Sequence, residues 1–179
     1  MKTLRRSFIA MCCLALVGGC ATPASKSSFH PTLPQKRMVE LMGNRLDLAS
    51  QVAWVKYRDT LPVYDPKREA ELLAGLVSKG EAKGVPAFQV EAFMKAQMAA
   101  SRAVQKTLIR SWSRGGTLPA YPPFGLKRDI RPKLDAISDE MIVLLPAVGQ
   151  SPAFASYAAA ELSNRGYRRV ATLATAPLR

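Results

Sequence analysis

Asn44-Arg45-Leu46-Asp47-Leu48-Ala49-Ser50-Gln51-Val52-Ala53-Trp54-Val55-Lys56-Tyr57 lies within a longer segment whose apolar residues, Leu41, Leu48, Val52 and Val55, recur at helical spacing. The pattern predicts a helix from about Gln35 to Arg58. Arg45 and Lys56 are eleven residues apart, and at about 100° per residue the helix returns to within about 20° of its starting face. Both cations therefore project from the side that carries Leu48, Ala49 and Val52, the side a helical protein buries. A single long cation in such a position commonly lies along apolar surface with its head group at the rim. Two of them point further, to an anion pocket inside a helix bundle, because Asp65-Pro66-Lys67-Arg68-Glu69 and Gln97-Met98-Ala99-Ala100-Ser101-Arg102-Ala103-Val104-Gln105 follow.

Working outward, Leu61-Pro62 interrupts the first helix. Asp65 fits an N-cap and Pro66 the first position of a second helix, which carries Leu72, Leu73, Leu76 and Val77 and ends in the Gly80 to Gly84 region. Pro86 opens a third helix running to about Trp112 through Val90, Phe93, Met94, Val104 and Leu108. Gly115-Gly116 to Gly125 reads as a long loop. A fourth helix begins near Pro132, carries Leu134, Ile137, Met141, Leu144 and Leu145, and is expected to stop at Pro146. A helical piece from about Pro152 to Asn164 and a short one from Tyr167 to Ala174 complete the chain. The fold class this pattern supports is all-α, a single-domain helical bundle.

Towards the beginning, Lys2, Arg5 and Arg6 precede an apolar run from Phe8 to Val17 and the small-residue stretch Gly18-Gly19-Cys20-Ala21. That is the order of an export signal, and the apolar run is too short to span a bilayer. The reading divides the chain into a signal over 1–19, a linker over 20–35 and a helical domain over 36–179. Val17-Gly18-Gly19-Cys20 is similar to a bacterial lipobox, which makes Cys20 a lipidation site. Ordinary cleavage nearby, for example after Ala24, is the alternative. An Ala at position 21, in place of an acid, directs the expected lipoprotein to the outer membrane, facing the periplasm.

Cys12 and Cys13 fall within the signal and Cys20 at its end, so the mature body has neither a disulfide pair nor a cysteine metal site. His30 is the only histidine, and it sits in the linker, which excludes a Ser-His or Cys-His catalytic pair in the domain. The net charge of +13 falls by three on removal of Lys2, Arg5 and Arg6, leaving +10. A basic balance favours an anionic partner. Export and the dispersal of the basic residues among acids argue against nucleic acid.

On the third helix Gln97, Ser101 and Gln105 repeat every four residues and form one polar row. Lys95, Arg102 and Lys106 already supply a charged solvent face, so the uncharged row is a candidate for the interior. Set beside Arg45 and Lys56, with Arg68 turned inward near Asp65, it offers amide and hydroxyl groups together with cations suited to carboxylates. A small dicarboxylate suits such a site. It has no nucleophile, no redox group and no metal cage.

The order Arg45-Leu-x-Leu-Ala-x-x-Val-Ala-x-x-Lys56, then Leu61-Pro62-Val63-Tyr64-Asp65-Pro66-x-Arg68-Glu69, then Phe93-x-x-x-Gln97-x-x-x-Ser101-x-x-x-Gln105 resembles the exported, all-helical chorismate mutases of the AroQ gamma subclass. The resemblance covers about Val39 to Trp112 and continues more weakly through Tyr167-Arg168-Arg169. It implies a cofactor-free and metal-free isomerase of aromatic amino acid biosynthesis that rearranges chorismate to prephenate. It further implies Arg45 and Arg68 as holders of substrate carboxylates, and Lys56 and Gln105 as donors to the ether oxygen. Asp65 would orient Lys56 or the substrate hydroxyl side, and Gln97 and Ser101 would line the pocket. Arg45 and Lys56 are about 16 Å apart along the helix axis, so both side chains must lean together over a floor expected to comprise Leu48, Ala49 and Val52.

One departure stands out. In the fourth helix the family leads one to expect an arginine at about Glu140, where an acid turned inward would repel a dianion. Arg131, at the entrance to that helix, is the expected substitute. The rival reading is a non-catalytic helical lipoprotein of the same fold that binds an anionic metabolite or a protein. A basic module for anionic lipid or nucleic acid is a third. The partners expected are chorismate, the membrane through a lipid anchor alone, and a second copy of the chain in a homodimer.

Overall fold

The computed structural model describes residues 29–179; the expected signal and Cys20 lie outside the described residues. Six α-helices follow one another in chain order: α1 (Leu33–Arg58), α2 (Pro66–Glu81), α3 (Ala87–Trp112), α4 (Arg131–Val148), α5 (Pro152–Leu162) and α6 (Arg168–Thr175). Among the described residues there is no strand.

Local chemistry sets most of the ends. Thr32 caps α1 in a reciprocal arrangement: the Gln35 amide donates to Thr32 Oγ1, and Thr32 N donates to Gln35 Oε1 at 3.0 Å. Gln35 Nε2 also donates to the Val148 carbonyl at 3.0 Å, so one side chain ties the start of α1 to the end of α4. The helix thus begins at Leu33, and Phe29 already packs against Phe154 and Tyr157 of α5. The last part of the segment expected to be a linker is therefore built into the domain. Asp65 caps α2 through the Arg68 amide at 3.0 Å, with Pro66 in the first turn. Ser151 caps α5 through the Phe154 amide at 3.1 Å.

Pro146 does not stop α4. The helix continues to Val148 and ends at Gly149, whose φ of 64° suits glycine. A proline so near the end removes one backbone donor from the last turn, whereas Gly149 supplies the positive φ that turns the chain away. A wide, π-type turn over Leu126–Ile130 leads into α4. A second one, Ser163–Tyr167, joins α5 to α6 through Gly166 at φ 100°.

α1 and α3 pack on each other along their length, α4 covers another side of α1, α2 packs on α3 and α4, and α5 and α6 close the far side. The main core contains Met38, Met42, Leu46, Phe93, Met94, Met141, Ile142, Phe154 and Leu162. A smaller cluster of Val52, Val55 and Ile130, backed by Phe124, Leu126 and Leu134, sits near the C-terminal end of α1. Between the two, the apolar packing gives way to a polar cavity.

Two glycines of α2 test the packing with opposite signs. A Cβ on Gly75 meets nothing within 4 Å, whereas one on Gly80 would press into Val90 Cγ2 at the buried contact between α2 and α3. In urea unfolding Gly75→Ala is expected to stabilise by about 0.5–1 kcal/mol through helix propensity. Gly80→Ala is expected to destabilise by about 1–3 kcal/mol through overpacking. Equal shifts for both would contradict this packing.

Candidate active site

The cavity has a volume of about 250 Å³ and is walled by α1, α2, α3, the start of α4 and the α1–α2 loop. α1 supplies Arg45, Ala49, Val52 and Lys56, spaced by four, three and four residues, which is the rhythm of one helix face. Leu48 is buried but lies outside the cavity lining, because at about 60° from Arg45 around the helix it turns into the neighbouring packing. The floor is thus Ala49 and Val52 without Leu48.

Arg45 is the most constrained group. It is 4 % exposed, its Nη1 donates to Ser138 Oγ at 2.8 Å, and its buried Nε has no partner among the described residues. Burial lowers the guanidinium to about 10, against the pull of the nearby Asp135 and Glu69 carboxylates, so it remains a cation at neutral pH. Lys56, half-buried, donates from Nζ to the Val63 carbonyl at 2.6 Å. Burial also lowers its amine, while Asp65 and Glu69 oppose the shift.

Arg68 reaches from the first turn of α2 to Asp135 on α4, with Nη2 3.3 and 3.4 Å from the two carboxylate oxygens. Asp65 lines the cavity while its carboxylate caps α2. From α3 come Ser101 and Gln105, 8 % and 6 % exposed, whose buried Oγ and Oε1 have no partner among the described residues. Arg131 lines the cavity where α4 begins.

The cavity thus brings together Arg45, Lys56, Arg68, Gln105, Asp65, Ser101 and Arg131. Gln97 is not among them. Its Nε2 donates to the Ala174 carbonyl at 2.8 Å, fastening α3 to the end of α6. Each four-residue step along a helix drifts by about 40°, and at Gln97 the polar row has rotated out of the cavity and under α6.

Arg102, expected on the solvent face, lines the cavity instead. It pairs with Glu69, and its guanidinium carbon lies 5.1 Å from the centroid of the Tyr64 ring in the α1–α2 loop. Being one residue beyond Ser101, it is carried about 100° around the helix, and its length brings the head group back to α2.

The acid at position 140 does not face the cavity. Glu140 accepts from Arg37 Nε at 2.6 Å and Nη2 at 2.9 Å on the outer side of α1 and α4, and this pairing lowers its carboxylate. The face of α4 toward the site carries Arg131, Leu134, Asp135 and Ser138. Position 140 lies about 200° from Ser138 around the helix. Asp135, Ser138, Glu69 and Arg102 were thus not assigned from the sequence. Asp135 and Ser138 are polar positions within the apolar stripe of α4, which is the signal that could have flagged them.

Five cations and three carboxylates line the cavity, an excess of two positive charges at neutral pH. Such a cavity suits a compact dianion, with Arg45 and Arg68 as carboxylate forks and amide and hydroxyl groups between them. Among the described residues no cluster of His, Cys, Asp and Glu could hold a metal ion.

Residues 35–106 match the family model for chorismate mutase type II. Over this stretch the chain resembles chorismate mutase type II. Over 63 residues the chain is 40 % identical to the T-protein of Enterobacter agglomerans, a match that spans 35 % of this chain and 17 % of that relative's length. Chorismate mutase from Burkholderia phymatum superposes with a TM-score of 0.72 at 26 % identity, covering 82 % of this chain and 98 % of that one. A secreted chorismate mutase from Yersinia pestis superposes with a TM-score of 0.62 at 18 % identity, over 80 % of this chain and 97 % of the other, and shares the fold. The family match ends within α3, at a point that includes Arg45, Lys56, Arg68, Ser101 and Gln105. The structural likeness extends across most of the helical body.

Proposed function

We propose that the chain is an exported chorismate mutase that converts chorismate to prephenate without a cofactor. The observation that carries this reading is the cavity itself, in which a buried arginine, a second arginine, a lysine and a glutamine converge on a space of about 250 Å³ with two net positive charges. The reaction is intramolecular: the ether C–O bond breaks as a C–C bond forms, and no nucleophile or electron acceptor is required. The protein's work is to hold the compact conformer of a dicarboxylate and to place donors where negative charge grows.

In this reading Arg45 and Arg68 take the two carboxylates, with Arg131 adding positive charge at the α4 end. Arg68 exchanges its long contact with Asp135 for the ligand. Lys56 and the Gln105 amide donate to the ether oxygen, whose charge rises as its bond breaks. Ala49 and Val52 form the apolar floor, and Ser101 adds a hydroxyl. Glu140, the feature that favoured a non-catalytic reading, is committed to Arg37 and leaves that alternative without its main support.

Export rests on the basic and apolar order of residues 1–19. No helix among the described residues is long and apolar enough to cross a membrane. We propose Cys20 as a lipidation site that anchors the protein to the outer membrane. Cys20→Ser is expected to remove the acyl label and shift the protein out of the membrane fraction, since a lipid chain would be its hold on the bilayer. Unchanged membrane association would contradict the anchor.

Arg45→Ala and Arg68→Ala are each expected to lower kcat/KM for chorismate by about tenfold to a hundredfold, the worth of hydrogen bonds to a charged group. Lys56→Ala, which removes a donor to the developing charge, is expected to lower kcat by about 10²–10³. Lys95→Ala, which breaks a surface pair with Glu91, serves as the control and should change little. Parent-like rates in the three cavity variants would remove the proposed roles.

Gln105→Glu separates a donor from a mere neighbour. A neutral amide donates at any ordinary pH, whereas a carboxyl donates only when protonated and as an anion opposes the charge on the ether oxygen. The variant is expected to be slow near neutrality and to gain rate as pH falls through the range in which its new carboxyl takes up a proton. The parent should show no such gain. Superimposable pH profiles, taken at saturating chorismate where both proteins are folded, would exclude the donor role.

A further inference from the structure

We infer that Ser138 is the positioning residue for Arg45, and this rests on the proposed role of Arg45 as a carboxylate fork. Ser138 is completely buried on α4, three residues from Asp135 and on the same face. Its Oγ is 2.7 Å from the Leu134 carbonyl, which can only accept, so the hydroxyl hydrogen is committed there. The lone pairs of the oxygen are left for Arg45 Nη1 at 2.8 Å. The direction of both bonds is thereby fixed: the helix backbone orients the hydroxyl, and the hydroxyl orients the guanidinium.

The consequence for Arg45 follows from its planar fork. Because the fork is rigid and planar, holding Nη1 restricts rotation about the Nε–Cζ bond and narrows the directions in which Nε and Nη2 point. Among the described residues Arg45 has no carboxylate bonded to it, as the hydrogen bonds of Asp65, Glu69 and Asp135 go to the Arg68 amide, Arg102 and the Arg68 side chain respectively. A neutral acceptor is chemically suited to this task. It holds the cation in place without neutralising it, so the charge stays available to a ligand carboxylate. An acid at 138 would bind Arg45 more strongly and remove it from the site.

Ser138→Ala removes the hydroxyl and leaves the helix, because alanine is the better helix former and fits the same space. With Arg45 no longer held, the KM for chorismate is expected to rise roughly tenfold, the scale of one hydrogen bond to a charged group, while kcat stays within about twofold. A role in folding alone would lower the amount of active protein and leave KM unchanged. The second readout needs no turnover. Arginine side-chain nitrogen NMR, with the Arg45 signals assigned by their loss in Arg45→Lys, should show a guanidinium whose rotation about the Nε–Cζ bond is restricted in the parent and faster in Ser138→Ala. Equal rotation in the two proteins, or an unchanged KM, overturns the assignment. A parent that holds Arg45 rigidly and loses this in Ser138→Ala, yet fails to convert chorismate, leaves Ser138 as the anchor of Arg45 and refutes the reaction.

Discussion

A cation buried to 4 % exposure with, among the described residues, a single neutral hydrogen-bond partner is the constraint around which the rest of this molecule is arranged. Taking a guanidinium out of water is costly unless its charge is met, and the fold meets that of Arg45 only in part. Asp135 and Glu69 act at a distance through their charge, whereas the direct contact is the Ser138 hydroxyl. The remaining attraction is available to an incoming anion. A site of this kind trades folding stability for ligand binding, and the large apolar core around Phe93, Met94, Phe154 and Leu162 carries the domain.

The helices divide the work according to their geometry. α1 is long enough to place Arg45 and Lys56 on one face three turns apart, and the α1–α2 loop then folds back so that Val63 accepts from Lys56. α2 starts where it does because Asp65 caps it, and that start sets the position of Arg68. α3 supplies uncharged donors and acceptors between the cations, while its Gln97 is used to secure α6. α4 contributes Arg131 together with two acceptors, Asp135 and Ser138, each facing one arginine of the site. α5 and α6 stand away from the chemistry. Tyr167 donates to Asp47 at 2.5 Å, burial pushes its phenol up, and this contact with the neighbouring Arg165–Asp47 pair holds the α5–α6 elbow against α1.

Legibility followed the range of the interactions. The helical fold and the placing of Arg45 with Lys56 rest on periodicity within one segment, and Asp65-Pro66 marks a helix start by local capping, so these were readable from the chain. Gln97 and Arg102 were misplaced because a row of polar residues on an isolated helix does not say where its neighbours begin and end. α6 covers the first, and the reach of a long side chain returns the second to the cavity. Which way Glu140 faces is not legible from the chain, because the register of α4 depends on the turn over Leu126–Ile130, whose π-type geometry no local pattern announces. Ser138 was silent for a related reason. A small polar residue in an apolar stripe acquires meaning only when the partner it faces, Arg45 on another helix, is known.

The central claim is that this cavity rearranges chorismate, and the direct measurement is the initial rate at which the purified protein consumes chorismate, with the product identified by proton NMR. The account predicts saturable, protein-dependent loss of chorismate with prephenate as the sole product and no requirement for added metal or cofactor. Loss no faster than in protein-free buffer, under conditions where the protein is folded, would contradict it.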